Sequence, residues 1–554
     1  MNPAQLLDHF DRISDVPDAI SCLRRFVLDL AVRGKLVEQD PRDEPASEML
    51  KRIQTEKARL VKTGEKRKEE PLPELCNEDR FFKLPSGWGW VRFGEIYSLE
   101  YGDNLPAERR SNTGEYPVYG SNGIVGSHSV CFVNEPCIVV GRKGSAGALN
   151  LSLAGGCCVT DVAYYCVPPH GLDLAFTFKL FHTLGLDTLG KGIKPGLNRN
   201  DAYLLPLALP PLAEQQRIVA KVDELMALCD RLELAQTERE IQRDRLAAAS
   251  LHRLNNGASA DAFREHARFY FNHLPRLTTR PEHIRQLRQS ILNLAVRGQL
   301  ASQDPNDEPA ALLLFHLTAD AKAYALDQGI APPNPAPITE EDIAFPAPSG
   351  WEWVRLSSLF KVITDGDHQP PPKSEDGIAF LTIGNITTGR LDFSNCRFVE
   401  KEYLESLAVY RKPVYGDILY TVVGATYGRP AYVDSRRQFC VQRHIAILKP
   451  TDKMNVRFLC SLLASPLVYE QATRSTTGTA QPTIPLRPLR NFLVLLPPLA
   501  EQHRIIAKVD ELMALCDRLE TQLTTAQIES RRLLEAVLHE ALAGQGELEQ
   551  CVLR

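Results

Sequence analysis

The residues able to do covalent chemistry do not assemble into a known catalytic pattern in this sequence. Gly185-LDTL-Gly190-Lys191 matches the start of a phosphate-binding loop, but Gly192 stands where Ser or Thr must hold magnesium. The stretch before it also has a helical pattern rather than that of a strand. H-E-x-x-H, G-x-S-x-G and a clean G-x-G-x-x-G are absent from the sequence. So are an Asn-Pro-Pro-aromatic methyltransferase signature, a helicase set and a nuclease-like carboxylate–lysine cluster. The 13 histidines are scattered, and the 13 cysteines contain no C-x-x-C pair. This argues against a metal or redox site and for buried reduced thiols, such as Cys229 in LMALCDRL.

What the sequence does hold is recognition chemistry. Several loops mix glycine with cationic, amide and aromatic residues. The first set comprises Arg109, Arg110, Asn122, Arg142, Lys143, Ser145, Lys191, Lys194, Asn198 and Arg199. The second comprises His368, Gln369, Lys373, Thr426, Tyr427, Arg429, Arg443, Arg474, Thr476 and Gln481. Glycine lets backbone approach a phosphate closely, and Arg, Lys, Asn and Gln supply donors that hold phosphates and read base edges. Any one of these could be a solvated loop charge. As a set they carry more weight, because GRKGS (Gly141–Ser145) and GATYGR (Gly424–Arg429) follow a strand at comparable places.

Those places are comparable because the chain repeats itself. Leu209–Glu233, LPPLAEQQRIVAKVDELMALCDRLE, recurs as Leu496–Glu520 and differs only at 216/503 and 219/506. LAVRGKL at Leu30–Leu36 recurs as LAVRGQL at Leu294–Leu300. QDPRDEPA at Gln39 recurs as QDPNDEPA at Gln303, and PSGW at Pro85 recurs at Pro348. The order is the same both times, and the second variable insert is longer. This describes a tandem duplication of a shared scaffold around two diverged inserts.

The scaffold reads as helix. Pro210-Pro211 and Pro497-Pro498 suit a helix start, with Glu214 and Glu501 favourably near its N-terminus. Ile218, Val222, Leu225, Cys229 and Leu232 then follow at heptad spacing, as do Ile505, Val509, Leu512, Cys516 and Leu519. Neither Ala213–Leu254 nor Ala500–Leu542 contains proline or glycine. A helix of about 40 residues is about 60 Å long, which suits a coiled-coil rod. The near-identical seams predict that the rods pair antiparallel. Shorter helices ending in LAVRG, with Gly34 and Gly298 as caps, complete the bundle. Pairing of the N-terminal helix (Pro17–Val32) with the C-terminal rod would close the architecture into a ring. The inserts alternate short strands, such as VAYYCV and GDILYTVVG, with Gly- or Asn-bearing turns.

The expected fold is therefore α+β. Two domains of mixed twisted sheets with short helices are joined by long antiparallel coiled-coil helices in a pseudo-two-fold tandem repeat. The expected segments are an N-terminal helical part (1–84), a first sheet domain (85–208), and a central rod with its LAVRG helix (209–318). A linker (319–347), a second sheet domain (348–495) and a C-terminal rod (496–554) follow. With 554 residues, 44% apolar and 24% charged, the chain is ordinary globular material. Its net charge of −5 neither requires nor forbids nucleic-acid binding, which depends on local patches. No apolar run is long enough to span a membrane and no signal peptide is visible, so a cytoplasmic location is expected.

This combination resembles the specificity subunits of type I restriction–modification systems. The repeated LPPLAEQ-x-RI-x-AKVDEL, LAVRG and PSGW segments look like that family's shared regions. YPVYGSNGIVG, IVVGRKGSAG, ITDGDHQPP, LTIGNI and QRHIAIL look like the cores of its target-recognition domains. The long stretch before the first PSGW suggests a subfamily with a circularly shifted start. The resemblance implies double-stranded DNA as ligand, each insert reading one half of an asymmetric bipartite site. It implies that the rods set the spacer and dock two methyltransferase subunits, with restriction–translocation subunits as further partners. It implies no catalytic or metal site in this chain, with S-adenosylmethionine, ATP and magnesium held by the partners. The rival reading is a non-catalytic two-headed scaffold that binds proteins through its inserts.

Overall fold

The computed structural model describes residues 16, 18–64, 71–192, 195–256, 260–367, 372–478 and 481–543. They divide into two compact units. The first comprises residues 1–239 with 527–554, and the second residues 240–526. Two helices of 44 and 45 residues belong partly to each.

In the first unit, helix α1 (Ala19–Val32) precedes α2 (Ala46–Lys62). Strand β1 (Gly89–Arg92) follows, and pairs antiparallel with β9 (Pro206–Leu209) as a two-stranded neck. Between them lies the first insert. One of its sheets has the order β2 (Glu100–Tyr101), β8 (Ala163–Cys166), β5 (Cys137–Gly141), β6 (Leu149–Ser152). The other has the order β4 (Gly123–His128), β3 (Tyr116–Gly120), β7 (Cys158–Val159), with β3 and β7 parallel. Helix α3 (Leu174–Phe181) covers the core around Phe93, Tyr97 and Phe181. The rod α4 (Leu212–Asn255) starts directly after the neck.

The second unit repeats this order. The end of α4 is followed by α5 (Ala260–Asn272), α6 (Pro281–Val296) and α7 (Ala310–Asp327). Strand β10 (Glu352–Arg355) pairs with β18 (Leu493–Leu496) as the second neck. The second insert has sheets β11 (Phe360–Asp365), β17 (Ile445–Pro450), β14 (Ile418–Thr421), β15 (Pro430–Tyr432) and β13 (Arg397–Val399), β12 (Ile378–Leu381), β16 (Phe439–Val441). Again one pair, β12 with β16, is parallel. Helices α8 (Val456–Leu463) and α9 (Pro466–Ser475) follow, broken at Ser465-Pro466. The rod α10 (Leu499–Ala543) starts after the neck.

Each insert thus holds two sheets beside its neck, which period-2 strand patterns alone do not divide. The expected boundary at 318/319 falls inside α7. That segment is helix because Leu313, Leu317, Ala321 and Ala325 recur at a spacing of four and bury one stripe. Helix α2 lies within the expected N-terminal helical part (1–84). No helix among the described residues is long and apolar enough to cross a membrane.

The rods are antiparallel within each unit, and the short helices show it. Along α1, Arg24 meets Asp230 and Glu233 of α4 at 2.6 Å, while Val27 and Ala31 join the core that holds Ile218 and Val222. Asp18 meets Arg531 of α10 at 3.4 Å, and Lys35 reaches the Leu542 carbonyl. So α1 runs against α4 and with the end of α10. Val16, Ala19, Leu534, Val537 and Leu538 form their common core, which closes the N-terminal helix onto the C-terminal rod. In the second unit Arg288 meets Asp517 and Glu520 at 2.7 Å, and Ser290 and Asn293 meet Asn255. There α6 runs against α10 and with the end of α4. On the rods' seam Ile218, Val222, Ile505 and Val509 are buried, and Leu225, Leu512 and Leu519 pack against the same cores. Leu232 is half-buried.

Every shared sequence segment meets the others at one node per unit. Trp88 donates its indole N–H to Glu214 at 3.0 Å, and Trp351 donates to Glu501 at 2.8 Å. Gln215 donates to the Pro210 carbonyl and accepts from the Asp173 N–H, while Gln502 does the same with Pro497 and Asn455. Arg217 pairs with Asp43, and Arg504 with Asp307, which explains DEPA. Gly34 and Gly298 end α1 and α6 in Schellman turns, with Lys35 N–H on Leu30 and Gln299 N–H on Leu294. Both glycines have positive φ, and an added Cβ would lie 2.4 Å from Pro85 or 2.7 Å from Pro348.

Burial pushes the Glu214 and Glu501 carboxyls above the ordinary glutamate value, against the opposing pull of their hydrogen bonds. A carboxyl raised in the folded state stabilises it most at acid pH, and that contribution is lost as pH rises through the native value. The stability difference between E501Q and the parent chain should therefore change as pH rises above 4.5 and level off below it, in the variant's favour at neutral pH. Thermal melts from pH 4 to 8 check this, and parallel curves would contradict it. W351F leaves the buried Glu501 carboxylate without its donor and W88F leaves Glu214 with Gln39 alone, and each should cost about 1–3 kcal/mol in denaturant melts.

Candidate nucleic-acid interface

The recognition loops of each insert are built on one backbone arrangement. In the first insert, the loop after β5 carries Arg142, Lys143 and Ser145. The chain returns beside it at 195–199. Leu197 N–H donates to the Arg142 carbonyl at 2.8 Å and Gly144 N–H to the Pro195 carbonyl at 2.9 Å. Lys191 and Gly196 exchange two backbone hydrogen bonds, which brings Lys191 to the same loop. In the second insert, Ile484 N–H donates to the Val422 carbonyl at 2.8 Å and Gly424 N–H to the Pro482 carbonyl at 2.9 Å. A Gly-Asp pair also repeats. Gly102 and Gly366 lie so close to the neighbouring strand that a Cβ would come within 2.2 or 2.1 Å of a backbone oxygen. Asp103 and Asp367 bridge in parallel to Thr160 and Gln442.

Equivalent backbones carry unlike side chains. Arg142-Lys143 of the first insert corresponds to Val422-Val423 of the second, and Asn198-Arg199 to Pro485-Leu486. The first site is cationic. Arg142 and Arg199 both lie over the Tyr101 ring, and Lys143 is exposed beside them. The hairpin turn that carries Asn122 touches this loop, because the Gly141 α-carbon faces the Ser121 carbonyl. The second site is aromatic. Tyr427 stacks on Tyr469 with ring centres 5.5 Å apart and planes at 8°, and its hydroxyl lies 2.9 Å from Thr473. Arg429, exposed, donates to the Thr387 carbonyl at 2.9 Å. Arg443 joins this surface, since Val422 N–H donates to the carbonyl of the next residue, His444. Burial, with Arg443 adding to it, holds the His444 imidazole below its usual value.

The sequence-predicted residues divide by what their side chains touch. Arg109, Asn122, Lys143, Lys373 and Gln481 are exposed and have no side-chain partner among the described residues. Others serve the fold. Arg110 donates to the Leu105 and Val125 carbonyls and braces the β3–β4 hairpin. Asn198 caps a short helix, Arg199–Tyr203, by accepting from Asn200 N–H. Thr476 ties the end of α9 to the Thr473 carbonyl, and Thr426 accepts through its carbonyl from Thr421. Lys191 pairs with Asp201 at 2.7 Å, and Arg474 with Glu470 at 3.6 Å. Ser145 is half-buried and its carbonyl closes a turn to Ala148. Lys373 precedes the bridge of Ser374 to Phe398 of β13. Lys194, His368 and Gln369 lie outside the described residues. Tyr101 and Tyr469 were not among the expected site residues. The signal for Tyr101 was its place one residue before the shared Gly-Asp pair.

Comparison with known proteins follows the same boundaries. The family model of the type I restriction modification DNA specificity domain matches twice, over residues 85–243 and 348–530, so both matches begin at PSGW. The type I restriction enzyme EcoAI specificity subunit of Escherichia coli is 29% identical over 564 residues, covering 94% of each chain. The EcoEI specificity subunit of the same species is 29% identical over 572 residues, again with 94% of each covered. Among solved structures, a chain described under complex assembly and conformational transition of the type I R-M system is 20% identical. It has a TM-score of 0.45 and covers 84% of this chain and 100% of its own. With the specificity domain present twice and spanning more than half of its residues, the chain belongs to the type I restriction modification DNA specificity family.

Proposed function

We propose that this chain is the specificity subunit of a type I restriction–modification complex, in which each insert reads one half of an asymmetric, bipartite duplex DNA site. The observation that carries this reading is the repeated loop arrangement with unlike side chains. One site offers two guanidiniums and a lysine, the other a tyrosine stack with Arg429 and Arg443. The exposed or aromatic-held residues Arg109, Asn122, Lys143, Lys373, Arg429, Arg443 and Gln481, with Arg142 and Arg199, are the DNA-facing set. Residues braced on their own fold, such as Arg110 and Asn198, support it.

The rods supply the spacer and a docking surface for two modification subunits. Methyl transfer, with S-adenosylmethionine, and ATP- and magnesium-dependent restriction belong to those partners and to the restriction subunits. The complex works in the cytoplasm, where the chromosome is.

Methylation mapping in a host that carries this chain with its modification subunit should give one motif of two different halves separated by unspecified bases. A single palindromic motif, or methylation by the chain alone, would contradict the proposal. Exchanging Gly141–Ser145 with its counterpart loop should alter one half and leave the other. Inserting one heptad into both rods, within Ile218–Leu232 and its matching segment, should lengthen the spacer while keeping both halves. An unchanged spacer in that variant would refute the rods' role as a ruler.

A further inference from the structure

We propose that Tyr101 is a positioning residue, whose ring holds Arg142 and Arg199 as one prearranged pair for reading the bases of a single half-site. This rests on the DNA-specificity reading above and deepens it to one residue. Arg142 comes from the loop after β5 and Arg199 from the start of a short helix far along the chain. Both guanidinium centres lie 4.8 Å from the centre of the Tyr101 ring, so they are no farther apart than twice that distance. Tyr164 packs beside this arrangement. It is buried, its ring centre is 5.1 Å from that of Tyr101, Arg142 lies 5.7 Å over it, and its hydroxyl donates to the Leu197 carbonyl.

The pair is drawn together without a counter-charge. Neither arginine has a carboxylate partner among the described residues. Two like charges this close repel, and the attraction of each cation for the ring face opposes that repulsion. Each guanidinium also gives one N–H to a backbone carbonyl, Arg142 to Asp161 at 2.9 Å and Arg199 to Leu99 at 3.3 Å. A guanidinium has five N–H donors, so most remain available. Tyr101 is itself 48% exposed, which leaves the pair open to a ligand. A forked donor matches the acceptor edge of guanine in the major groove, and a guanidinium fixed before binding loses less freedom on contact.

The corresponding positions of the second insert carry no such set. Asp365 stands before its Gly-Asp pair, and Val422 and Leu486 stand at the two arginine positions. The consequence of losing the ring is therefore confined to one half of the site. The test uses the full complex of this chain with its modification subunit, mapped for methylated motifs and assayed on a duplex carrying the unaltered site. Y101A should relax the bases of one half, keep the other half and the spacer, and slow methylation of that duplex at least tenfold. Y101F keeps the ring and should restore the original motif. The double variant R142Q/R199Q, which leaves the ring in place, should relax the same half as Y101A. Thermal melting alongside confirms that each complex is folded. An unchanged motif and rate in Y101A, equal loss of both halves in a normally melting complex, or relaxation of a different half in R142Q/R199Q would overturn the proposal. If the unaltered complex methylates no bipartite site, the DNA-specificity reading itself fails, and the two failures are thereby told apart.

Discussion

One buried hydrogen bond per repeat, from a tryptophan indole to a glutamate at the start of a rod, is the constraint on which the rest of the structure depends. It joins residues 126 positions apart in the first repeat and 150 apart in the second. Everything between them is the insert. Loop-closure entropy grows only with the logarithm of loop length, so this difference costs about 0.2 kcal/mol. The node therefore closes equally well over either insert. That is the physical reason the inserts could diverge in length and side chains while Pro-Pro, Glu-Gln, Trp, Asp and the LAVRG glycine stayed alike.

The node also sets the direction of the rod. The glutamate sits in its first turn and the following glutamine holds the Pro210 or Pro497 carbonyl. Neck, rod and insert are thus locked together within a few residues. The two copies differ at the glutamate. Glu214 receives Gln39 as well as Trp88, whereas one oxygen of Glu501 is buried with no partner among the described residues. A buried acceptor left without a partner is costly.

Outside the node, the inserts keep backbone and change side chains. The same loop-to-loop hydrogen bonds hold Gly144 and Gly424 in place, yet one surface presents guanidiniums and the other a tyrosine stack. Backbone hydrogen bonds do not depend on side-chain identity, so the arrangement tolerates almost any residue at the points that face outward. A reading head with this property can change what it reads without refolding.

The sequence by itself determined the duplication, the rods, the helix caps and the segments of the node, because those rest on local rules: heptad spacing, proline at a helix start, glycine with positive φ. It also marked the loops that matter, through glycine mixed with donors. It did not show that α7 is helix across the expected boundary, nor that each insert contains two sheets, since strand patterns do not say which strands pair. Only the tertiary structure decided which donors are free. Arg110 and Asn198 read like Lys143 in the sequence, but they are spent on carbonyls and a cap that folding brings within reach. Tyr101 gained its place in the same way. Cation–aromatic contacts join residues from separate loops, and no spacing along the chain encodes that meeting.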